Sequence, residues 1–177
     1  VVSLAFNKDT MECYAFNENK FNKSTSSAVI ECVKNHYENA KLFMVDRAKR
    51  LNKDADLTNI TIVTDSNEKA ICYELSMNNK LPAYPCYKYD KVMAISQLSD
   101  WCRTGKIKVL KDGYLAEEFD MTVYKRDDND NITSEIDDSY HPDIADALLY
   151  ASRQMWFAVG AEGGGISKDQ KDAIEYA

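Results

Sequence analysis

Residues 60–64 form an unbroken β-branched run, Ile-Thr-Ile-Val-Thr, that closes on Asp65 and is bordered by helical patterns. β-Branched side chains favour extended backbone, and a strand apolar on both faces belongs in a sheet covered by helices. No other segment limits the fold as strongly. It predicts a central strand of an α/β sheet, with Asp65 at the carboxyl end, where such sheets place ligand sites.

The flanking segments agree with that prediction. Residues 1–6 and 11–16 read as a β-hairpin around Asn7, Lys8, Asp9 and Thr10, with Asn or Asp taking any left-handed backbone in the turn. After a polar loop, one of residues 24–27 caps a helix with apolar positions Val29, Val33, Tyr37 and Ala40. Residues 41–59 are ambiguous and carry a basic group, Arg47, Lys49, Arg50 and Lys53. Residues 68–78 read as a helix with Ala70, Ile71 and Leu75 inward, and 81–85, with two prolines, as a short edge strand. An amphipathic helix over 90–103 stops at Thr104-Gly105. A strand over 107–110, a turn at Asp112-Gly113, a short helix over 114–119 and a strand over 121–124 follow. Residues 125–138 are dense in Asp and Asn and read as a solvated loop or hairpin tip. Pro142 opens a helix over 143–157, which Gly160, Gly163, Gly164 and Gly165 then break. A hairpin followed by alternating helices and strands gives a mixed α/β sheet. One domain is expected over 1–157, with a Gly-rich linker and polar tail over 158–177.

At 177 residues the chain can bury a core without disulfide or metal staples, and 45% hydrophobic with 29% charged residues is a globular balance. Five cysteines, odd in number and never spaced C-x-x-C, with only two histidines, exclude the usual zinc sites and read as reduced thiols of a cytosolic setting. No apolar run approaches the ~18 residues of a membrane span, and no basic segment precedes an apolar one as in a signal peptide. A net charge of −7 argues against a general basic nucleic-acid binder but leaves room for a local basic groove. The chain opens at Val1, already within an apolar run, and is expected to be a piece of a longer polypeptide.

The last helix carries Asp143 and Asp146 three residues apart, hence on one face. With Tyr150 and Arg153 they form a polar stripe beside the core stripe of Ile144, Ala147, Leu148, Ala151 and Met155. If that stripe faces Asp65, three carboxylates converge. Hard oxygen ligands so arranged suit Mg²⁺ or Mn²⁺, and two ions about 3.5–4 Å apart clamp both oxygens of a phosphodiester displacement. Plainer roles exist for each acid: Asp143 suits the helix dipole, Asp146 a solvated face, and Asp65 a turn. Lys88 and Lys91, between edge strand and helix, could meet a phosphate. Arg103, Lys106, Lys108 and Lys111 read first as a solvated face and second as a DNA-backbone contact. His141 reads as a cap or surface residue, and Trp101 and Trp156 as core. The acidic run at 127–138 lacks the Gly and terminal Glu of an EF-hand.

The run at 139–151, Ser-Tyr-His-Pro-Asp-Ile-Ala-Asp-Ala-Leu-Leu-Tyr-Ala, resembles the final-helix motif of the nuclease domain of phage large terminase subunits. The motif is shared in weaker form with Holliday-junction resolvases of the same ribonuclease H-like superfamily. The order of elements is similar over residues 1–157. The resemblance implies a ribonuclease H-like fold and a metal-dependent endonuclease that cuts concatemeric DNA during packaging, using two Mg²⁺ or Mn²⁺ ions. Asp65 matches the family's second acid and Asp146 or Asp143 its third, while Lys88 or Lys91 would orient the phosphate. The family's first acid has no match, because its first strand would lie upstream of Val1. These 177 residues carry no phosphate-loop pattern, so the motor domain that precedes the nuclease in the family is not expected among them. Implied partners are double-stranded DNA, the portal and the small terminase subunit, in the host cytoplasm and away from membranes. The rival readings are a junction resolvase and a catalytically inert docking module of a packaging motor.

Overall fold

The hairpin at the start of the chain pairs β1 (Val2–Asn7) with β2 (Glu12–Glu18), antiparallel from Val2↔Glu18 to Asn7↔Glu12 with a bulge between Ser3 and Leu4. The left-handed residue of its turn is Met11 (φ 56°), not the expected Asn or Asp; the Asn7 side chain bonds locally instead, its Oδ1 accepting from the Asp9 amide at 3.0 Å. The structure, a computed structural model, describes residues 1–86, 88, 90–121, 123–137 and 143–163, with the side chains of 134–136 and 157–163 left aside. His141, Pro142, the start of the 139–151 motif and the polar tail after residue 163 lie outside the described residues.

Thr25 caps α1 (Ser26–Arg50) by accepting from the Ala28 amide. The ambiguous stretch after residue 40 is therefore helical as far as Arg50, and Arg47, Lys49 and Arg50 fill its last turn, where cations suit the dipole. Phe43 stacks on Phe16 of β2 at 4.8 Å between ring centroids. Next comes β3 (Ile62–Thr64), shorter than the five residues expected. A short helix, α2 (Lys69–Tyr73), runs on into a π-helical turn (Glu74–Asn78). The edge strand β4 (Ala83–Pro85) pairs parallel with β3. Asp90, itself left-handed (φ 50°), caps α3 (Lys91–Arg103), which stops just before the left-handed Gly105 (φ 68°). Then follow β5 (Ile107–Lys108), α4 (Tyr114–Met121), β6 (Tyr124–Arg126) and β7 (Ile132–Ile136). The last two form an antiparallel hairpin with the acidic run at its tip. The final helix, α5 (Asp143–Gly163), does not break at residue 157. Glycine weakens a helix interior by about 1 kcal/mol without forbidding it, so Gly160 is carried through.

Three sheet pieces result: β1-β2-β5, β3-β4 and β6-β7, with β2–β5 and β3–β4 parallel. Among the described residues β1 and β3 are each paired along one edge, and α5 packs against both. This corrects the expectation for the 60–64 run. Only Thr64 of β3 is buried, because one of its edges meets no described strand. The core lies elsewhere, where Cys13, Ala15, Ala94, Leu98, Ile107, Leu115, Ile144, Leu148 and Leu149 bring the first sheet piece together with α3, α4 and α5. Trp101 and Trp156 pack against it edge to face, 5.7 Å apart.

Candidate active site

Asp65 directly follows β3 and turns back on itself, one oxygen accepting from the Asn67 amide at 2.8 Å. The same oxygen meets the Lys88 ammonium at 2.6 Å, and the Tyr150 hydroxyl donates to the other at 3.5 Å. The Lys88 ammonium also lies 5.4 Å from the centre of the Tyr150 ring. Burial works to raise the Asp65 pKa, but the Lys88 bond and the Asn67 amide outweigh it and hold the carboxyl below its ordinary value. Lys88 is raised in return, chiefly by its bond to Asp65. The pair is thus ionised on both sides near neutral pH.

Tyr150 belongs to α5, one turn after Asp146. Asp146 faces Lys91, the first residue of α3, whose ammonium sits 3.4 Å from each carboxylate oxygen. The two acids come from segments some eighty residues apart and share one neighbourhood. Burial raises the Tyr150 phenol, and the charges of Asp146 and Asp65 add to it. The buried Cys86, whose amide donates to the Thr64 carbonyl at 2.6 Å, feels the same groups. Burial raises its thiol, Arg153 and Lys88 oppose that rise, and Asp65 and Asp146 reinforce it.

Asp65, Asp146, Lys88 and Lys91 are therefore brought together, each acid matched with one lysine. Asp143 is exposed in the first turn of α5 and makes no contact with Asp65 among those described. No group of three or more His, Cys, Asp or Glu able to hold a metal ion occurs among the described residues. The donor chemistry present, carboxylate oxygen, is of the kind that hard divalent cations take. Of the basic group that starts at the end of α3, Arg103 pairs with Asp100 at 3.0 Å and Lys108 with Glu12 at 3.7 Å. No helix is long and apolar enough to cross a membrane among the described residues.

Sequence reasoning missed Cys86 and Glu118 and misplaced Arg153. Cys86 carried no signal beyond being a cysteine. Arg153 was placed on the polar stripe, yet it is only 5% exposed, and its Nη1 finds no hydrogen-bond acceptor among the described residues. Glu118 did carry a signal: Leu115, Glu118 and Phe119 share one face of α4, which puts an acid in a core position. Glu118 is 1% exposed and accepts from the Ile144 and Ala145 amides at the start of α5.

No protein-family model and no curated protein matches the sequence. Among solved structures the chain is similar to the nuclease domain of g2p, the large terminase of bacteriophage SPP1, a structure with bound Mn. The likeness covers 86% of this chain and 76% of that one, with a TM-score of 0.61 and 19% sequence identity. The chain thus has the fold of that nuclease domain. The mixed α/β architecture expected from the sequence, a mixed sheet flanked by helices, is the one found.

Proposed function

We propose that the chain is the nuclease domain of a phage DNA-packaging terminase, a metal-dependent endodeoxyribonuclease acting on concatemeric double-stranded DNA in the host cytoplasm. One observation carries the reading. On a terminase nuclease fold, Asp65 at the end of β3 and Asp146 on α5 converge around Tyr150. Asp65 and Asp146 would hold Mg²⁺ or Mn²⁺, with Asp143 one turn away as a further ligand or a supporting acid. A bound divalent ion supplies a more acidic water and charge stabilisation at a phosphoryl oxygen. The two-ion form needs more carboxylate oxygen than Asp65 and Asp146 provide. A strand lying between β1 and β3, under α5, is the position from which a third acid would complete the set.

The chain's own residues do the rest. Lys88 and Lys91 offset the two carboxylates and present ammonium groups to a phosphodiester lying against them. Tyr150 limits the freedom of Asp65 and Lys88 by touching both. Backbone contacts of this kind position DNA without reading sequence, so low sequence specificity follows. Docking on the portal and small terminase subunit belongs to the same proposal.

A second reading draws on a specific observation. The described residues hold no three-acid group, and both acids are already paired with lysines, as suits an inert docking module. Cleavage of supercoiled plasmid by the full-length protein with Mn²⁺ separates the two. Metal-dependent nicking that disappears in Asp65→Ala and in Asp146→Ala establishes the nuclease. A folded, intact protein that leaves plasmid uncut establishes the module, and preferential cutting of four-way junctions over linear duplex redirects the reading to a resolvase.

A further inference from the structure

Asp146 and Tyr150 sit where α5 puts them, so whatever fixes the start of α5 fixes half of the candidate site. The first amides of a helix have no partner within the helix and concentrate its positive end. At α5 two of them, Ile144 and Ala145, donate at 2.9 Å each to a single oxygen of Glu118, which comes from α4 rather than from the residues before α5. The other Glu118 oxygen meets the Lys20 ammonium at 2.7 Å, just after β2. The α4 helix is held in the same manner. Glu18, at the end of β2, accepts from the Leu115 amide at 3.0 Å, and its carboxylate lies so close to Gly113 that a Cβ there would collide with it. Two carboxylates thus tie β2 to α4 and α4 to α5. A core helix has no packing reason to place an acid between Leu115 and Ile144, both fully buried, when Leu or Met would fill the space at lower desolvation cost.

We propose that Glu118 is a positioning residue for the nuclease site: through the Ile144 and Ala145 amides it sets the position of α5, and so where Asp146 and Tyr150 stand relative to Asp65 and Lys88. This rests on the nuclease reading given above. Displacements near 1 Å at a reacting centre cost up to about 100-fold in rate, so a carboxylate bonded to the amide two residues before Asp146 is placed to matter.

The test uses the full-length protein with Glu118→Ala and Glu118→Gln, Gln retaining an oxygen that accepts from both amides. Amide hydrogen exchange and Mn²⁺-dependent plasmid nicking are read side by side. In Glu118→Ala, protection should be lost from Ile144 through Tyr150 while amides of β2 and β5 keep theirs. Nicking should fall about 10- to 100-fold at unchanged KM for DNA. Glu118→Gln should recover most of both. Loss of protection confined to Ile144 and Ala145, undiminished nicking by Glu118→Ala, or a Gln variant as damaged as the Ala variant would each overturn the proposal. If Glu118→Ala does not fold, Lys20→Met decides. It loosens the carboxylate without emptying the core, and it should give a smaller loss of the same pattern; wild-type exchange and nicking would refute the role. If the unsubstituted protein does not nick, the nuclease reading fails by itself, and the exchange arm still decides whether Glu118 places α5.

Discussion

The half of the molecule that holds Asp146 is packed, and the half that holds Asp65 is thin. Around α5, Leu115, Ile144 and Leu148 are fully enclosed and two tryptophans close the rim. Around β3 and β4, among the described residues, only Thr64, Leu75, Ala83 and Cys86 are buried, while Tyr73, Met77 and Tyr84 stand in solvent. The site straddles the two. One acid is fixed by a dense core, the other by a two-strand fragment and by its own bonds to Asn67, Lys88 and Tyr150. Local polar contacts therefore do for Asp65 what packing does for Asp146.

Leu148→Ala should produce the largest effect, since it opens a cavity in the packed half. A loss of about 3 kcal/mol is expected, with a Tm lower by roughly 6–12 °C in a thermal melt. The same truncation at the partly exposed Val63 of β3 should cost far less; equal losses would erase the contrast.

Acid should act next, through the link between β1 and α1. His36 is buried, with Nε2 2.8 Å from Asn19 Oδ1 and Nδ1 2.7 Å from the Ser3 hydroxyl. With Nε2 as donor, Nδ1 accepts from Ser3 and the ring is neutral. Burial pushes its pKa down to about 4 from 6.5. Unfolded chains take up the proton first, so stability is complete above pH 6.5 and declines as pH falls towards 4, by on the order of 2–3 kcal/mol. Urea unfolding at pH 7 and pH 4.5 measures it, and His36→Gln should flatten that part of the profile.

Gly113→Ala should cost about 1 kcal/mol by driving the Glu18 carboxylate off the Leu115 amide, seen as faster exchange at the start of α4. The smallest change is expected from Lys88→Met. Its pair with Asp65 is about one-third exposed on either side, so stability should fall by less than ~1 kcal/mol. The Asp65 carboxyl should titrate at higher pH once the ammonium is gone, which carboxyl NMR would register.

The sequence made the packed half legible and the thin half only partly so. Helical spacing over 143–157 pointed to Ile144 and Leu148, because one buried face imposes its own periodicity; over 90–103 it pointed to Val92, Ile95, Leu98 and Cys102, of which Leu98 is buried while Val92 and Cys102 are exposed. The 60–64 run suggested more burial than exists, since β-branched composition reports strand preference and says nothing of how many neighbours a strand has. The end of α5 was misjudged because glycine lowers helix propensity without ending a helix that its first turns already anchor. Asp65, Asp146, Lys88 and Lys91 were named from spacing and resemblance, but their pairing, one lysine to each acid, depends on contacts between distant segments that no spacing encodes.

The central claim is that Asp65 and Asp146, one from each half, belong to a single divalent-cation site. Calorimetric titration of Mn²⁺ into the full-length protein, beside Asp65→Ala and Asp146→Ala, tests it most directly. The account predicts binding that either substitution alone abolishes or weakens at least about tenfold, while both variants melt within a few degrees of the wild type. Mn²⁺ binding that survives intact in either folded variant would contradict it.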